Sequence, residues 1–318
     1  MNIPYCTVNN KAQVLIVVLW ILCFLSLSAF SLGYRTHVEL KLANYRLEDT
    51  IARAAAISII KFIEAVILTD DNGFGALNET WSNGYNRGER ENLFKNIKLS
   101  GVCLDIYYKR ADAQEGFLLY GLKDEESKIN INSAEKPLFV SLFNNIENSL
   151  KENEIIKLAD EIIKMRTKLP EGLFISAQQL LLVKGMRQDY YEKIEEYITC
   201  YGEGSINFNT ASNFVLKCLG VSDELIDNIA IFRKGADGKI ATADDGVFET
   251  PQAIITAFGG QLGEKITTLI NQGKIGVSST AFDAQITVTS NKSQRVKKFR
   301  CILGKTPKED SRVFYWQG

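Results

Sequence analysis

Histidine occurs once in the 318 residues, at His37, and proline only five times. With one histidine, the Ser-His-Asp, Cys-His and two-histidine metal arrangements have only His37 to use, and it stands just beyond a long apolar run. The six cysteines, Cys6, Cys23, Cys103, Cys200, Cys218 and Cys301, occur singly with no Cys-x-x-Cys pair. That spacing removes thiolate zinc centres and thioredoxin-like redox motifs. Neither sign of charge prevails, since 37 Lys plus Arg face 38 Asp plus Glu, so no global field attracts nucleic acid. Carboxylate pairs such as Asp244 with Asp245 are too common to define a hydrolase, and no enzyme is expected. What is present is a chain with 46% hydrophobic and 10% aromatic residues, enough to bury one large core or two ordinary ones.

Charge is missing altogether from residues 12–34, the 23 positions inside "KAQVLIVVLWILCFLSLSAFSLGYR". About 20 apolar residues suffice to cross about 30 Å of hydrocarbon as a helix, and residues 14–33 meet that length. A secretory signal has a shorter apolar core followed by a small-residue cleavage site, for which "LSLSAFS" is a tolerable match. The sequence beyond favours a retained span. There is no Gly or Pro in residues 34–71, and no Pro in residues 5–135. Leu40, Ala43, Leu47, Ile51, Ala54, Ala55 and Ile59 recur at three- and four-residue steps. These patterns predict one helix over about 14–68, on the order of 80 Å long at 1.5 Å per residue. Its first half is apolar all round and its second half amphipathic. Positive-inside counting of Arg35, Lys41, Arg46 and Arg53 would put the C-terminal side in the cytoplasm. The helical periodicity instead assigns those basic residues to a packed rod.

A short polar leader, an apolar half-helix and an amphipathic half-helix resemble the N-terminus of type IV pilins and type II secretion pseudopilins. The stretches "LIVVLWIL" and "SLGYRTHVELKLANY" are similar to the K-type minor pseudopilins, the general secretion pathway protein K family. The resemblance implies a prepilin peptidase that cuts between Ala12 and Gln13 and methylates the new N-terminus; most members have Gly where Ala12 stands. Val17 then takes the fifth mature position, where ordinary pilins carry a Glu neutralised by a neighbour's N-terminal amine. The K-type pseudopilin also lacks that Glu and is placed at the filament tip. The same resemblance implies a single-pass inner-membrane protein with its C-terminal bulk in the periplasm. Implied partners are the I-type and J-type minor pseudopilins, other pseudopilins through the N-terminal helix, the prepilin peptidase and membrane lipid. The implied role is starting or capping the pseudopilus, with a type IV pilus tip protein as the related alternative.

Two stretches read as copies of one unit. "KININSAEKPLFVSLFN" leads to "LADEIIKMRTKLPEGLFISAQQLLLVKGM", and "SINFNTASNFVLKCLGV" leads to "LIDNIAIFRKGADGKIATADDGVFETPQAIITAFG". Each opens with Ile-Asn-apolar-Asn and a Ser or Thr able to cap a helix. A short helix follows, then a second ending at Arg166 or Arg233, then a Phe-Ile-Ser or Phe-Glu-Thr turn and a third helix. "DEESKININSA" resembles the junction at which the K family inserts a helical domain into its sheet. The copies also resemble helix-hairpin-helix modules, which give backbone N–H groups to DNA phosphate. A membrane-anchored DNA-binding protein is therefore the rival reading. Residues 129–276 hold 15 Lys plus Arg and 20 Asp plus Glu, a local charge of −5 poorly suited to phosphate. No nucleic acid partner is expected.

The second copy holds the one candidate metal site. "GADGKIATADDGVFE" places Asp237, Asp244, Asp245 and Glu249 among glycines, and hard oxygen ligands on a bendable loop suit Ca2+. The spacing is not that of an EF-hand, and a solvated acidic loop remains the alternative. Some K-type pseudopilins bind calcium in their helical domain.

On either side of the copies the pattern turns to strands. "GVCLDIYYKR" and "EGFLLYGLKDEE" precede them. "AFDAQITVTSNKSQRVKKFRCILGK" follows as a hairpin, with Phe282, Ala284, Ile286 and Val288 on one face and Val296, Phe299, Cys301 and Leu303 returning. "RVFYWQG" adds an edge strand or lies over the helix. The fold expected is α+β: a long N-terminal transmembrane and amphipathic helix on a pilin-like antiparallel sheet, interrupted by an inserted all-α domain of two helical repeats. Its parts are a leader at 1–12, a transmembrane half-helix at 13–34, pilin-like segments at 35–132 and 278–318, and the insert at 133–277. If residues beyond 35 are exported, the last four cysteines pair in one of three ways. Cys200 with Cys218 and Cys103 with Cys301 keeps each pair inside one predicted domain.

Overall fold

The computed structural model describes residues 10–85, 91–110, 117–146, 151–258, 263–306 and 311–318. The first element, α1 (Asn10–Leu68), is a 59-residue helix that ends where the loss of helical periodicity predicts. The chain divides into two compact units, residues 1–53 and 54–318, with the boundary inside α1. In the first unit the hydroxyls of Thr36 and Thr50 bond back to the carbonyls of Leu32 and Arg46. Arg35 meets Glu39 one turn on. Apolar side chains from Val14 to Leu47 stand exposed along it, Trp20, Phe24 and Phe30 by 70% or more. The helix is long and apolar enough to cross a membrane.

In the second unit α1 continues with a buried face of Ala55, Ala56, Ile59, Ile60, Ile63 and Ile67. Of the predicted stripe only Ala55 and Ile59 belong to that face; Leu40 and Leu47 are exposed and Ile51 is half-buried. Three- and four-residue steps fit two adjacent faces of a helix equally well, and the isoleucines at 60, 63 and 67 decide between them. The ring of Phe62 meets Phe94 edge to face at 6.0 Å. After α1 comes a single turn, α2 (Thr80–Asn83), which carries the buried Trp81.

The sheet is antiparallel and assembled from both ends of this unit. β1 (Ile97–Leu99), β2 (Val102–Ile106), β8 (Ala281–Ser290), β9 (Val296–Lys305) and β10 (Ser311–Gln317) lie in that spatial order. The two-residue β3 (Lys123–Asp124) pairs with Asp283 and Phe282 on β8. The alternation of the β8–β9 hairpin appears as expected: Phe282, Ala284, Ile286 and Val288 are buried, and Phe299, Cys301 and Leu303 face them from β9. Val296 departs from the pattern and is 55% exposed at the hairpin mouth. "RVFYWQG" forms the edge strand β10 against β9. The predicted strand "EGFLLYGLKDEE" shrinks to β3 and one bridge between Tyr108 and Leu119.

Between β3 and β8 lie the two helical repeats. The first runs from β4 (Ile129–Asn130) through α3 (Lys136–Ile146), α4 (Glu152–Arg166), a 3-10 turn at 177–182 and α5 (Gln188–Ile194) to β5 (Ile198–Thr199). The second runs from β6 (Ile206–Asn207) through α6 (Asn213–Cys218), α7 (Asp223–Arg233), α8 (Pro251–Phe258) and α9 (Glu264–Asn271) to β7 (Ile275–Gly276). With further 3-10 turns at 170–172 and 195–197 in the first, each repeat holds more helical pieces among the described residues than the three expected, and is closed by a short parallel pair, β4 with β5 and β6 with β7. The region is therefore not purely helical. The apolar faces of both repeats share one core, from Ile131, Phe139 and Leu142 to Phe208, Phe248 and Ile254.

Cys23, Cys103, Cys200, Cys218 and Cys301 are free thiols, so neither expected pairing forms among the described residues. For Cys103 and Cys301 the sheet gives the reason. Cys103 sits beside Thr289 and Cys301 beside Ala284, on opposite sides of β8 and five residues apart along it. Two strand spacings of about 4.8 Å already exceed the Cα separation a disulfide tolerates. Burial pushes the thiols of Cys218 and Cys301 up to about 12.

Candidate functional site

The repeats are joined to the sheet by three consecutive acids, all buried: Asp124, Glu125 and Glu126. Asp124 accepts hydrogen bonds from the hydroxyls of Thr210 and Ser279 (2.7 Å), the amide of Asn207 (3.0 Å) and the backbone N–H of Glu126 (2.9 Å). Glu125 accepts from Thr199 and from the buried Lys128 ammonium. Glu126 accepts from the Thr280 hydroxyl and from the backbone N–H groups of Ala281 (3.0 Å) and Glu203 (3.4 Å). One short segment therefore holds the end of the first repeat, the start of the second and the chain returning to β8.

Buried carboxylates resist ionisation unless donors or cations compensate. Burial pushes the carboxyl of Glu126 up to about 8, helped by the neighbouring charge of Asp124 and opposed by Thr280 and Ala281. Asp124 is also raised by burial, against the hydrogen bonds from Thr210, Ser279 and Asn207. The sequence marks "DEESKININSA" as a junction but does not mark its acids as buried. The available signal was a run of three acids with no matching run of basic residues, which demands hydroxyl and amide donors from elsewhere in the chain.

Within each repeat the Ile-Asn-apolar-Asn motif performs the same construction. The side-chain oxygen of Asn130 accepts from the backbone of Asn132, and that of Asn207 from the backbone of Asn209, both at 2.9 Å. Asn132 exchanges two hydrogen bonds with the backbone of Phe174 (2.9 and 2.7 Å), and Asn209 two with Phe248 (both 2.9 Å). Arg166 caps the carbonyls of Ile131 and Ala134, and Arg233 those of Phe208 and Ala211. The arginines and phenylalanine turns seen as repeated residues are thus the two ends of one hydrogen-bonded frame.

The acidic loop between α7 and α8 brings together three of its four candidate ligands. The Thr242 hydroxyl oxygen lies 3.4 Å from Asp237, 2.9 Å from Asp244 and 2.8 Å from Asp245. Backbone groups occupy the same carboxylates: Asp244 accepts from Ala236 (2.8 Å) and Asp237 (3.0 Å), and Asp245 from Ala241 (2.7 Å) and Thr242 (3.2 Å). These bonds hold the Asp244 carboxyl below its ordinary value, while burial raises that of Asp245. Glu249 is exposed beyond the loop, next to the buried Phe248. Among the described residues no group of three or more His, Cys, Asp or Glu side chains is arranged to hold a metal ion. The loop as folded does not fit a four-carboxylate cage, because its oxygens are turned to N–H groups.

Gln13 is exposed on α1. Residues 1–9 of the expected leader lie outside the described residues, as does the side chain of Ala12.

No family model and no curated protein matches the sequence. Among solved structures, a chain of the GspK-GspI-GspJ complex of the type 2 secretion system from enterotoxigenic Escherichia coli is similar, with a TM-score of 0.62. The match spans 86% of this chain and 98% of that one, at 11% identity. The chain has a GspK-like fold. At that identity the likeness concerns the fold alone.

Proposed function

We propose that this chain is a K-type minor pseudopilin, anchored in the inner membrane by α1 with residues beyond about 35 in the periplasm, at the tip of a type II secretion pseudopilus. The observation that carries the reading is the presence in one chain of an exposed helix long and apolar enough to cross a membrane and of a GspK-like fold. The protein works by assembly rather than chemistry. Its apolar half-helix exchanges lipid contacts for packing against the helices of other pseudopilins. In this reading the bulk of the helical insertion favours a place at an end of the filament over one between stacked subunits. Its partners in this reading are I-type and J-type minor pseudopilins, as in the complex whose fold it shares.

The test is the N-terminal mass of the chain purified from membranes containing a prepilin peptidase. A product beginning at methylated Gln13 is expected. A start near Ser31 would overturn the reading in favour of a cleaved secretory signal. Co-expression with I-type and J-type subunits should yield a stable three-subunit complex, and its absence alongside assembly with type IV pilins would move the protein to that system. A DNA-binding role has less to support it. The turn between α6 and α7 spends the N–H groups of Gly220 and Val221 on the carbonyls of Lys217 and Leu216, leaving neither for phosphate.

We also propose that the α7–α8 loop takes up Ca2+ by turning Asp237, Asp244, Asp245 and Glu249 away from their present surroundings. The support is the oxygen-rich composition of the loop and the convergence of three carboxylates on a hydroxyl with one proton to give.

A further inference from the structure

Beside the buried acids, a half-open cleft with an empty volume of about 270 Å3, part of it open to solvent, lies between the chain leaving the sheet and the helical repeats. Its wall carries three cations, Arg110, Lys123 and Lys128, and one carboxylate, Glu196. Two of the cations are engaged: Lys128 is bound to Glu125, and Arg110 donates to the carbonyl of Thr210 at 2.9 Å. The Lys123 ammonium makes no side-chain hydrogen bond or close ion pair among the described residues, although the charges of Glu125, Asp283 and Glu196 act on it from nearby. It is half-buried, and burial together with the charge of Lys128 pushes its ammonium down to about 8. The acids near it are largely committed elsewhere, Glu125 to Lys128 and Thr199 and Asp283 to Arg300 at 2.9 Å. The Ser212 hydroxyl accepts from Val215 at 3.3 Å, so its own proton is available to the cleft.

A partly dehydrated ammonium with no direct hydrogen-bond partner is costly, and an anion brought to it offsets part of that cost. We propose that this cleft binds a small oxyanion, a carboxylate or a phosphate, with Lys123 as the principal charge and the Ser212 hydroxyl as a second donor. Arg110 supplies longer-range attraction, and Glu196 weakens the site by opposing the ligand's charge. The part of the ligand that meets these donors is one oxyanion group. That group is either a free ion or the acidic side chain of a docked protein.

The test uses the full chain in detergent micelles, with its thermal midpoint followed as phosphate or acetate is added at fixed ionic strength. Phosphate is expected to raise the midpoint saturably. Lys123→Met should weaken the apparent affinity at least tenfold, and Glu196→Gln should strengthen it several-fold. Near-UV circular dichroism of both variants checks that they fold, and the Glu196→Gln variant keeps the test alive should Lys123→Met fail to. A saturable response to both ions supports a site open to carboxylates, a partner's acidic side chain included, while a response to phosphate alone supports the site and restricts it to phosphate. No saturable shift, or one unchanged by both substitutions, overturns the site.

Discussion

Asn132 and Asn209 stand in equivalent places in the two repeats, each closing a two-bond ring with the backbone of a buried phenylalanine, Phe174 or Phe248. Asn209 is 4% exposed, whereas Asn132 is half-buried. Asn209→Ala leaves a buried N–H and carbonyl of Phe248 without partners, a loss of about 2–3 kcal/mol. Asn132→Ala costs less because water reaches its site. Urea melts of the two variants should rank in that order, and equal losses would mean that the repeats are not held by this frame.

Glu126 gives the fold a dependence on pH. Its carboxyl rises from an ordinary 4.5 to about 8, so between those values the native state keeps a proton that the unfolded chain releases. Stability from this group therefore declines as pH rises through that window. Lys123, lowered from 10.5 to about 8, acts above it with the opposite sign, so that stability recovers as pH rises further. Midpoints measured from pH 5 to pH 8 should fall more steeply for the wild type than for Glu126→Gln, which keeps an oxygen acceptor and loses the titration. Parallel slopes would refute the assignment.

Gly121 has no room for a side chain. A Cβ there would collide with the carbonyl oxygen of Ser82 and the backbone of Trp81, neither of which can rotate away. Gly121→Ala should cost at least about 1–3 kcal/mol by overpacking. Gly33→Ala, whose Cβ meets nothing on α1, is the control and should leave the melting of the folded unit unchanged.

The acidic loop supplies a calcium prediction. Added Ca2+ should raise the thermal midpoint of the wild type, and Asp244→Asn should abolish the increase. Without metal, Asp244 stabilises the loop above its ordinary value of 3.8, and that contribution is lost as pH falls below it, since its hydrogen bonds favour the ionised form. A shift with Mg2+ equal to that with Ca2+ would point to general screening instead.

Much of this architecture was legible because its signals are local. The break in periodicity after Leu68, the alternation of Phe282, Ala284, Ile286 and Val288, and the doubled Asn motif depend on neighbouring residues. The misses are matters of long-range contact. Which of two adjacent faces of α1 is buried follows from the surface that covers it, and Cys103 and Cys301 are kept apart by β8 running between them. Nothing near Asp124 announces that Thr210 and Ser279 will meet it, and nothing near Lys123 announces the cleft. "EGFLLYGLKDEE" has the composition of a strand, yet only Lys123 and Asp124 find a strand to pair with.

The meeting of Asp124 and Glu126 with Ser279, Thr280 and Ala281 has a consequence for how such a chain can change over generations. The peptide departs for the repeats and comes back at one place, and each repeat is itself drawn shut by its own pair of parallel strands. The two anchorage points on the sheet therefore lie side by side whatever the length of chain between them, while Thr199 from the first repeat and Thr210 from the second bind Glu125 and Asp124 and tie both repeats to that place. Loops inside a repeat can therefore lengthen or shorten freely, whereas the loss of either repeat would strip donors from the buried acids and open the common core.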